Sequence, residues 1–355
     1  MAKIGLLRLD KEKIMLPIAL AFVGGILVGV CSVLLIKPFS SPSLRIVRQS
    51  DIATSSEYRF TDPLISVSVT GDNPGPEYVN LNNQLTAYIN QQERVGSLTS
   101  ASVYFRDIDA SSGLTINPTM TYDPASLTKV PLAMAYYDLA ENDPSVLSDE
   151  ITYSGVPNLD ADEQVKSPIQ LTAHTNYSVE TLLEHMIKYS DNNAEQLLAD
   201  HLATIGKLDT LATLFTDLGI KIDPNDPDYM SVRTYAILLR VLYNATYLDR
   251  GYSEQMLDIL SQSDFTAGIA VRLPSDVVVA HKFGEARIPD SQGAIVGAEL
   301  HDCGIVYYPD HPYILCIMTK GPSIADLEQV IQHSSQITFT AVQNHYAPTL
   351  IPTKP

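Results

Sequence analysis

Tyr122-Asp123-Pro124-Ala125-Ser126-Leu127-Thr128-Lys129-Val130-Pro131-Leu132-Ala133-Met134-Ala135 is the stretch around which the chain is organised. From Leu127 to Ala140 the residues are apolar and alanine-rich, which predicts a buried helix that begins at or just before Ser126. Side chains three apart share a helix face, so the Ser126 hydroxyl and the Lys129 ammonium are expected side by side. A serine hydroxyl is a weak nucleophile without an adjacent base, and a lysine desolvated by burial can lose its proton near neutral pH and serve as one. A helix-capping serine followed by a surface lysine accounts for the same four residues. The rest of the chain has to decide between the two.

Working outward, 355 residues, 45% of them hydrophobic and 18% charged, are ample for a sizeable core. The net charge of -18 disfavours nucleic acid, whose affinity rests on cationic neutralisation of phosphates. Near the N-terminus, Ile14 to Ile36 carries no charged side chain and is long enough to cross a bilayer as a helix. No small-residue cleavage site follows it, so it reads as an uncleaved signal-anchor. Lys3, Arg8, Lys11 and Lys13 precede the span and Lys37, Arg45 and Arg48 follow it. With so short a leading tail, residues 1–13 are placed in the cytoplasm and the bulk of the chain outside it. Gly25 and Gly29 form a G-x-x-x-G through which two such spans could dimerise.

Residues 37–60 are rich in Ser and Pro and read as a tether. Asp62 to Val69 looks like a short strand, and Tyr78 to Arg94 shows Leu81, Leu85, Tyr88 and Ile89 at helical spacing. Ser102 to Ile108 and Leu114 to Asn117 flank a polar loop, as in a β-hairpin. Helical patterns dominate from Ser126 to about Leu260. Val277 to Phe283, Cys303 to Tyr308 and Tyr313 to Thr319 then read as strands, and Ile324 to Gln343 as a closing amphipathic helix. One sheet assembled from both ends of the chain, with an all-helical lobe inserted at about 126–270, is an α+β architecture whose natural site is the cleft between the two lobes. The folded domain is expected over 61–346, with 347–355 as a tail.

Two further motifs bear on Ser126. Tyr189-Ser190-Asp191-Asn192-Asn193-Ala194 opens a helical pattern, and His281-Lys282-Phe283-Gly284 ends the β-branched run Val277-Val278-Val279. Alone, the first is a helix cap supplied by Ser190 or Asp191 and the second is a strand ending in a turn. Together, in this order, S-x-x-K, S-D-N and a K-x-G strand end resemble the set carried by class A β-lactamases and penicillin-binding proteins. The resemblance spans Tyr78 to Tyr346, and Cys303-Gly304-Ile305-Val306-Tyr307-Tyr308-Pro309 looks like the family's next strand.

The resemblance implies an antiparallel sheet flanked by the N- and C-terminal helices and an acyl-enzyme formed on Ser126 by a β-lactam or a D-Ala-D-Ala-like peptide. Lys129 would take the serine's proton, Ser190 would relay a proton to the leaving nitrogen, and Asn192 would orient substrate and Lys129. Lys282 would place positive charge near Ser190 and the substrate carboxylate, with Gly284 beside the bound substrate. The Ser126 amide would form part of an oxyanion hole. No metal or cofactor is called for. Two departures stand out. Phe283 lacks the hydroxyl usual at the middle of the third motif. The connection Leu218 to Tyr229, shorter than the family's, lacks the glutamate that activates the deacylating water, leaving Asp223, Asp226, Asp228 and, outside it, Glu285 as alternatives. Slow deacylation is expected, and three readings follow: a β-lactam-acylated hydrolase, a D,D-carboxypeptidase acting on cell-wall peptides, or a non-catalytic surface module on the same fold.

Cys303 and Cys316 flank Pro309-Asp310, so a hairpin there sets them opposite one another, either bonded or, as is commoner for buried pairs, as free thiols. His281, His301 and His311 have no carboxylate at ligand spacing and read as structural.

Overall fold

The computed structural model describes residues 58–62, 74–161, 163–222 and 226–347. The expected span at 14–36, the tether up to residue 57 and most of the strand-like piece after Asp62 lie outside the described residues. Among those described, no helix is long and apolar enough to cross a membrane.

Helix α1 (Val79–Val95) buries Leu81, Leu85 and Ile89, the stripe its spacing predicts, and stops at Gly96, whose φ of 81° closes the helix in a left-handed conformation that glycine adopts without steric cost. Strands β1 (Ser100–Asp107) and β2 (Ser112–Ile116) pair as the expected hairpin. A 3-10 turn, Ala125–Thr128, carries Ser126 into helix α2 (Lys129–Ala140), so the α-helix starts three residues later than the apolar run suggests. Every residue of α2 except Asp138 and Leu139 is buried, as expected for a helix apolar on all sides. Pro131 is tolerated because it sits in the first turn, where amides have no partner within the helix.

The inserted lobe is not all-helical. Strands β3 (Glu150–Tyr153) and β4 (Thr175–Ser178) pair in a separate two-stranded sheet, four residues each and therefore too short to show a period in sequence. Helices α3 (Val179–Lys188), α4 (Asn192–Thr204), α5 (Asp209–Asp217), α6 (Val232–Tyr243) and α7 (Arg250–Leu260) complete the lobe. Helix α2 packs against α3, α5 and α7.

The chain then returns to the main sheet through β5 (Val278–Pro289), β6 (Ile295–Tyr307) and β7 (Tyr313–Gly321), and ends in α8 (Ile324–Tyr346). The five strands run β2-β1-β7-β6-β5, antiparallel throughout, with Val103 of β1 opposite Ile317 of β7. Both faces are covered. Val103, Phe105, Leu315 and Ile317 join α1 and α8 in one core, while Tyr104, Ile314, Cys316 and Met318 join the helical lobe in the other. Each such side chain contributes roughly 1.5–3 kcal/mol on burial. Two-sided burial removes the apolar–polar alternation a half-exposed strand shows; β5 runs on to Pro289 and β6 begins at Ile295, well outside their expected spans.

Cys303 and Cys316 are register partners on β6 and β7 and form a disulfide, which corrects the leaning towards free thiols. Each of these histidines does meet a carboxylate, His281 with Asp302 at 2.9 Å, His301 with Glu299 at 3.3 Å and, in the β6–β7 turn, His311 with Asp109 at 2.8 Å. Sheet register brings Asp302 of β6 to His281 of β5, whereas Glu299 lies two residues before His301 on β6 itself. Residues 58–62 lie against the lobe: the Glu254 carboxylate of α7 accepts the amides of Arg59, Phe60 and Thr61, and the Phe60 ring packs edge-on against Tyr307.

Candidate active site

The three motifs converge between the lobes. The 3-10 turn holds Ser126 against β5, and that approach depends on Gly284: a Cβ there would lie 2.7 Å from the Pro124 carbonyl oxygen. Two neighbouring residues carry left-handed backbone, Ala125 with φ 46° and Ser190 with φ 55°. Such conformations cost on the order of 1–3 kcal/mol each and persist where surrounding bonds over-determine them. Here the Asp123 carboxylate accepts the Ala125 amide at 2.9 Å and the Thr128 hydroxyl donates to the Ala125 carbonyl at 2.8 Å.

Lys129 is the hub. Fully buried, its Nζ lies 2.8 Å from Ser126 Oγ, 2.6 Å from Asn192 Oδ1, 2.6 Å from the Ser190 carbonyl and 3.2 Å from Ser190 Oγ. An ammonium has three protons for these four acceptors. The long contact to Ser190 Oγ is the natural one to yield, because Lys282 Nζ already donates to that oxygen at 2.8 Å. With Lys282 donating to its Oγ, Ser190 is left with its own proton to give.

Lys282 is buried as well; burial first, and then the Lys129 charge, push its amine well below the ordinary lysine range. Its remaining contacts are the Phe283 carbonyl at 2.9 Å and the Phe283 ring, whose centroid lies 4.2 Å away. Phe283 stacks on Phe265 with centroids 4.1 Å apart and walls the cleft where a hydroxyl was expected. Lys282 thus stands beside Ser190, but its polar contacts are inward.

The head of α4 follows from local sequence. Asp191, not Ser190, is the cap: its carboxylate accepts the Ala194 amide at 2.8 Å. Asn192, on the first turn, directs Oδ1 to Lys129 and donates through Nδ2 to Glu163 Oε1 at 2.7 Å. Glu163 belongs to the segment between β3 and β4, which sequence reasoning passed over. Asp160 of the same segment accepts the Asn192 amide at 2.8 Å and Asn193 Nδ2 at 2.6 Å. From the other side Glu285 of β5 accepts the Gln164 and Val165 amides at 2.8 and 3.2 Å. The segment therefore straps the cleft mouth from α4 to β5. Burial, then a hydrogen bond to Glu285 and that carboxylate's charge, raise Glu163 to about 7; burial and the Asp191 charge raise Asp160 to about 6.

Of the alternative loop bases, Asp223 lies outside the described residues. Asp226 accepts the Asp228 amide at 3.0 Å, and Asp228 is paired with Lys320 at 2.8 Å, so both are engaged within the loop or with β7. A carboxylate just beyond the second motif is closer: Glu195 Oε2 lies 3.6 Å from Lys129 Nζ. Its signal was the three-residue spacing from Asn192, which puts both on one face of α4.

A family model described as the beta-lactamase enzyme family matches residues 80–344. Among solved structures the chain is similar to PBP-A, at 22% identity and a TM-score of 0.62 over 77% of this chain and 100% of that one. An acyl-enzyme complex of a PBP-A mutant with penicillin G gives 22% and 0.60, over 75% and 97%. A representative of class A beta-lactamase from Bacteroides cellulosilyticus gives 19% and 0.60, over 74% and 99%. No curated protein sequence matches. At these identities the structural likenesses speak to the fold.

Proposed function

The chain belongs to the beta-lactamase enzyme family, and from that premise we propose that it is a membrane-anchored active-site-serine hydrolase, acylated on Ser126 by a β-lactam or a D-Ala-D-Ala-like peptide. The observation that carries this is Lys129 Nζ at 2.8 Å from Ser126 Oγ in a fully buried site, with Asn192 and Ser190 fixing its other side. In its neutral form Lys129 takes the Ser126 proton as Oγ attacks the carbonyl. Negative charge on the carbonyl oxygen is met by the Ser126 amide and by N–H groups on the outer edge of β5, which among the described residues pairs with β6 alone. As the C–N bond breaks, Ser190 gives its proton to the leaving nitrogen and recovers one from Lys129.

The strap across the mouth fits slow turnover. Asn192 Nδ2 is held by Glu163 where a substrate carbonyl would need it, and Phe283 replaces a hydroxyl. The same two observations favour a second reading, a cell-surface module that keeps the fold for binding without chemistry. By the anchor read at residues 14–36, the domain would face the extracytoplasmic side of the cell membrane. The test is intact mass spectrometry of the full-length chain in detergent with penicillin G and with a D-Ala-D-Ala ester. An adduct that maps to Ser126 and is absent from Ser126→Ala supports the hydrolase; no adduct and no hydrolysis of either compound favours the binding module.

A further inference from the structure

An ester on Ser126 leaves only if a base receives a proton from the attacking water, within hydrogen-bond reach or through one further group. The carboxylates around the cleft are mostly committed. Glu163 is bonded to Asn192, Glu285 to two strap amides, Asp160 to the head of α4, and Asp191 caps that helix. Glu195 is different. Its Oε2 stands 3.6 Å from Lys129 Nζ and its Oε1 3.5 Å from Thr128 Oγ1, a hydroxyl that donates instead to the Ala125 carbonyl. Both contacts are longer than a settled hydrogen bond, so both oxygens keep acceptor capacity. The side chain is 23% exposed, which lets water reach it, whereas Lys129 is sealed. Its charge is felt at Tyr229, in the connection between α5 and α6 where a base was sought from sequence.

We propose that Glu195 is the base of the deacylation step. Resting on the acyl-enzyme reading above, the step runs as follows. The Glu195 carboxylate takes one proton from a water as that water's oxygen bonds to the ester carbon. The tetrahedral intermediate collapses, the bond from that carbon to Ser126 Oγ breaks, and the proton passes from Glu195 through the Lys129 amine to Oγ. The products are a free acid and the restored serine, with Glu195 again ionised and Lys129 again neutral. Lys129 can bridge the two because it touches both. Acylation uses Lys129 and Ser190 and does not call on Glu195.

The experiment compares the full-length protein with Glu195→Gln and Glu195→Asp, each checked by thermal melting. Penicillin G is the acyl donor; adduct formation and, after free penicillin is removed, adduct loss are followed by intact mass. Expected is acylation within about threefold of the parent for both variants, with adduct loss slowed on the order of a hundredfold in the Gln variant and less in the Asp variant. Release by Glu195→Gln at the parent rate overturns the proposal, as does equal loss of acylation and release in both folded variants, which marks a structural role. A parent protein that forms no adduct overturns the acyl-enzyme reading itself, a result distinct from the other two.

Discussion

The floor and the mouth of the cleft are built on opposite electrostatic plans. On the floor Lys129 and Lys282 are both buried and lie against one serine oxygen, with the Glu195 carboxylate 3.6 Å from Lys129 Nζ. At the mouth Asp160, Glu163 and Glu285 crowd together, and the first two hold protons to pH values near neutrality. The floor sets the Ser126 hydroxyl 2.8 Å from a buried lysine amine. The mouth occupies the amide donor of Asn192 that an incoming substrate would use. The motif set therefore does not by itself describe an open site, because the strap engages one of its own donors.

The comparison breaks most completely at the floor. Ser126→Ala should abolish the covalent adduct, and Lys129→Ala should slow acylation by about 10²–10⁴-fold, since it removes the only base in contact with Oγ among the described residues. Both are read by the rate of adduct formation. Wild-type labelling in Lys129→Ala would move the base elsewhere.

Next in size is the seam between the serine turn and β5. Gly284→Ala sets a methyl 2.7 Å from the Pro124 carbonyl and 3.2 Å from the Leu127 amide, both backbone atoms that cannot swing aside. Overpacking of this kind costs about 1–3 kcal/mol. The melting temperature should fall by several degrees and acylation should drop with it, because Ser126 moves with the turn.

The mouth offers a smaller effect with a defined sign. The Glu163 pKa is raised to about 7 in the closed strap, so closure binds a proton that an open strap releases. Its contribution to closure is complete below the ordinary glutamate range of about 4.5 and is lost as pH rises through about 7. Acylation by penicillin G should hence accelerate across that window. Glu163→Gln keeps an acceptor for Asn192 and a donor for Glu285 without titrating, so the acceleration should vanish and the rate stay low. Glu163→Ala frees the Asn192 amide and should raise the rate several-fold at pH 6. If both variants keep the parent profile, the strap does not limit access.

The floor was legible in sequence because its parts are short and local. Ser126 and Lys129 are three apart, and Ser190 and Asn192 flank a capping aspartate. Lys282 and Gly284 sit two apart in a β-branched strand. The helix start shifted by three residues because a 3-10 turn and an α-turn look alike in an apolar run. The strap was illegible for a different reason: Glu163 matters through Asn192 and Glu285, and both partners are distant in the chain. Likewise Cys303 and Cys316 bond because the register of β6 on β7 places them opposite each other.

By itself, then, the sequence determined the order of the motifs, the α+β pattern, the amphipathic face of α1 and the apolar core helix α2, all properties of spacing within a few residues. The tertiary structure decided which groups share a proton, which face of Lys129 meets Glu195, and that a strap crosses the mouth. Those depend on distances of a few ångströms between segments far apart in the chain, and electrostatic and hydrogen-bond energies fall off over that scale.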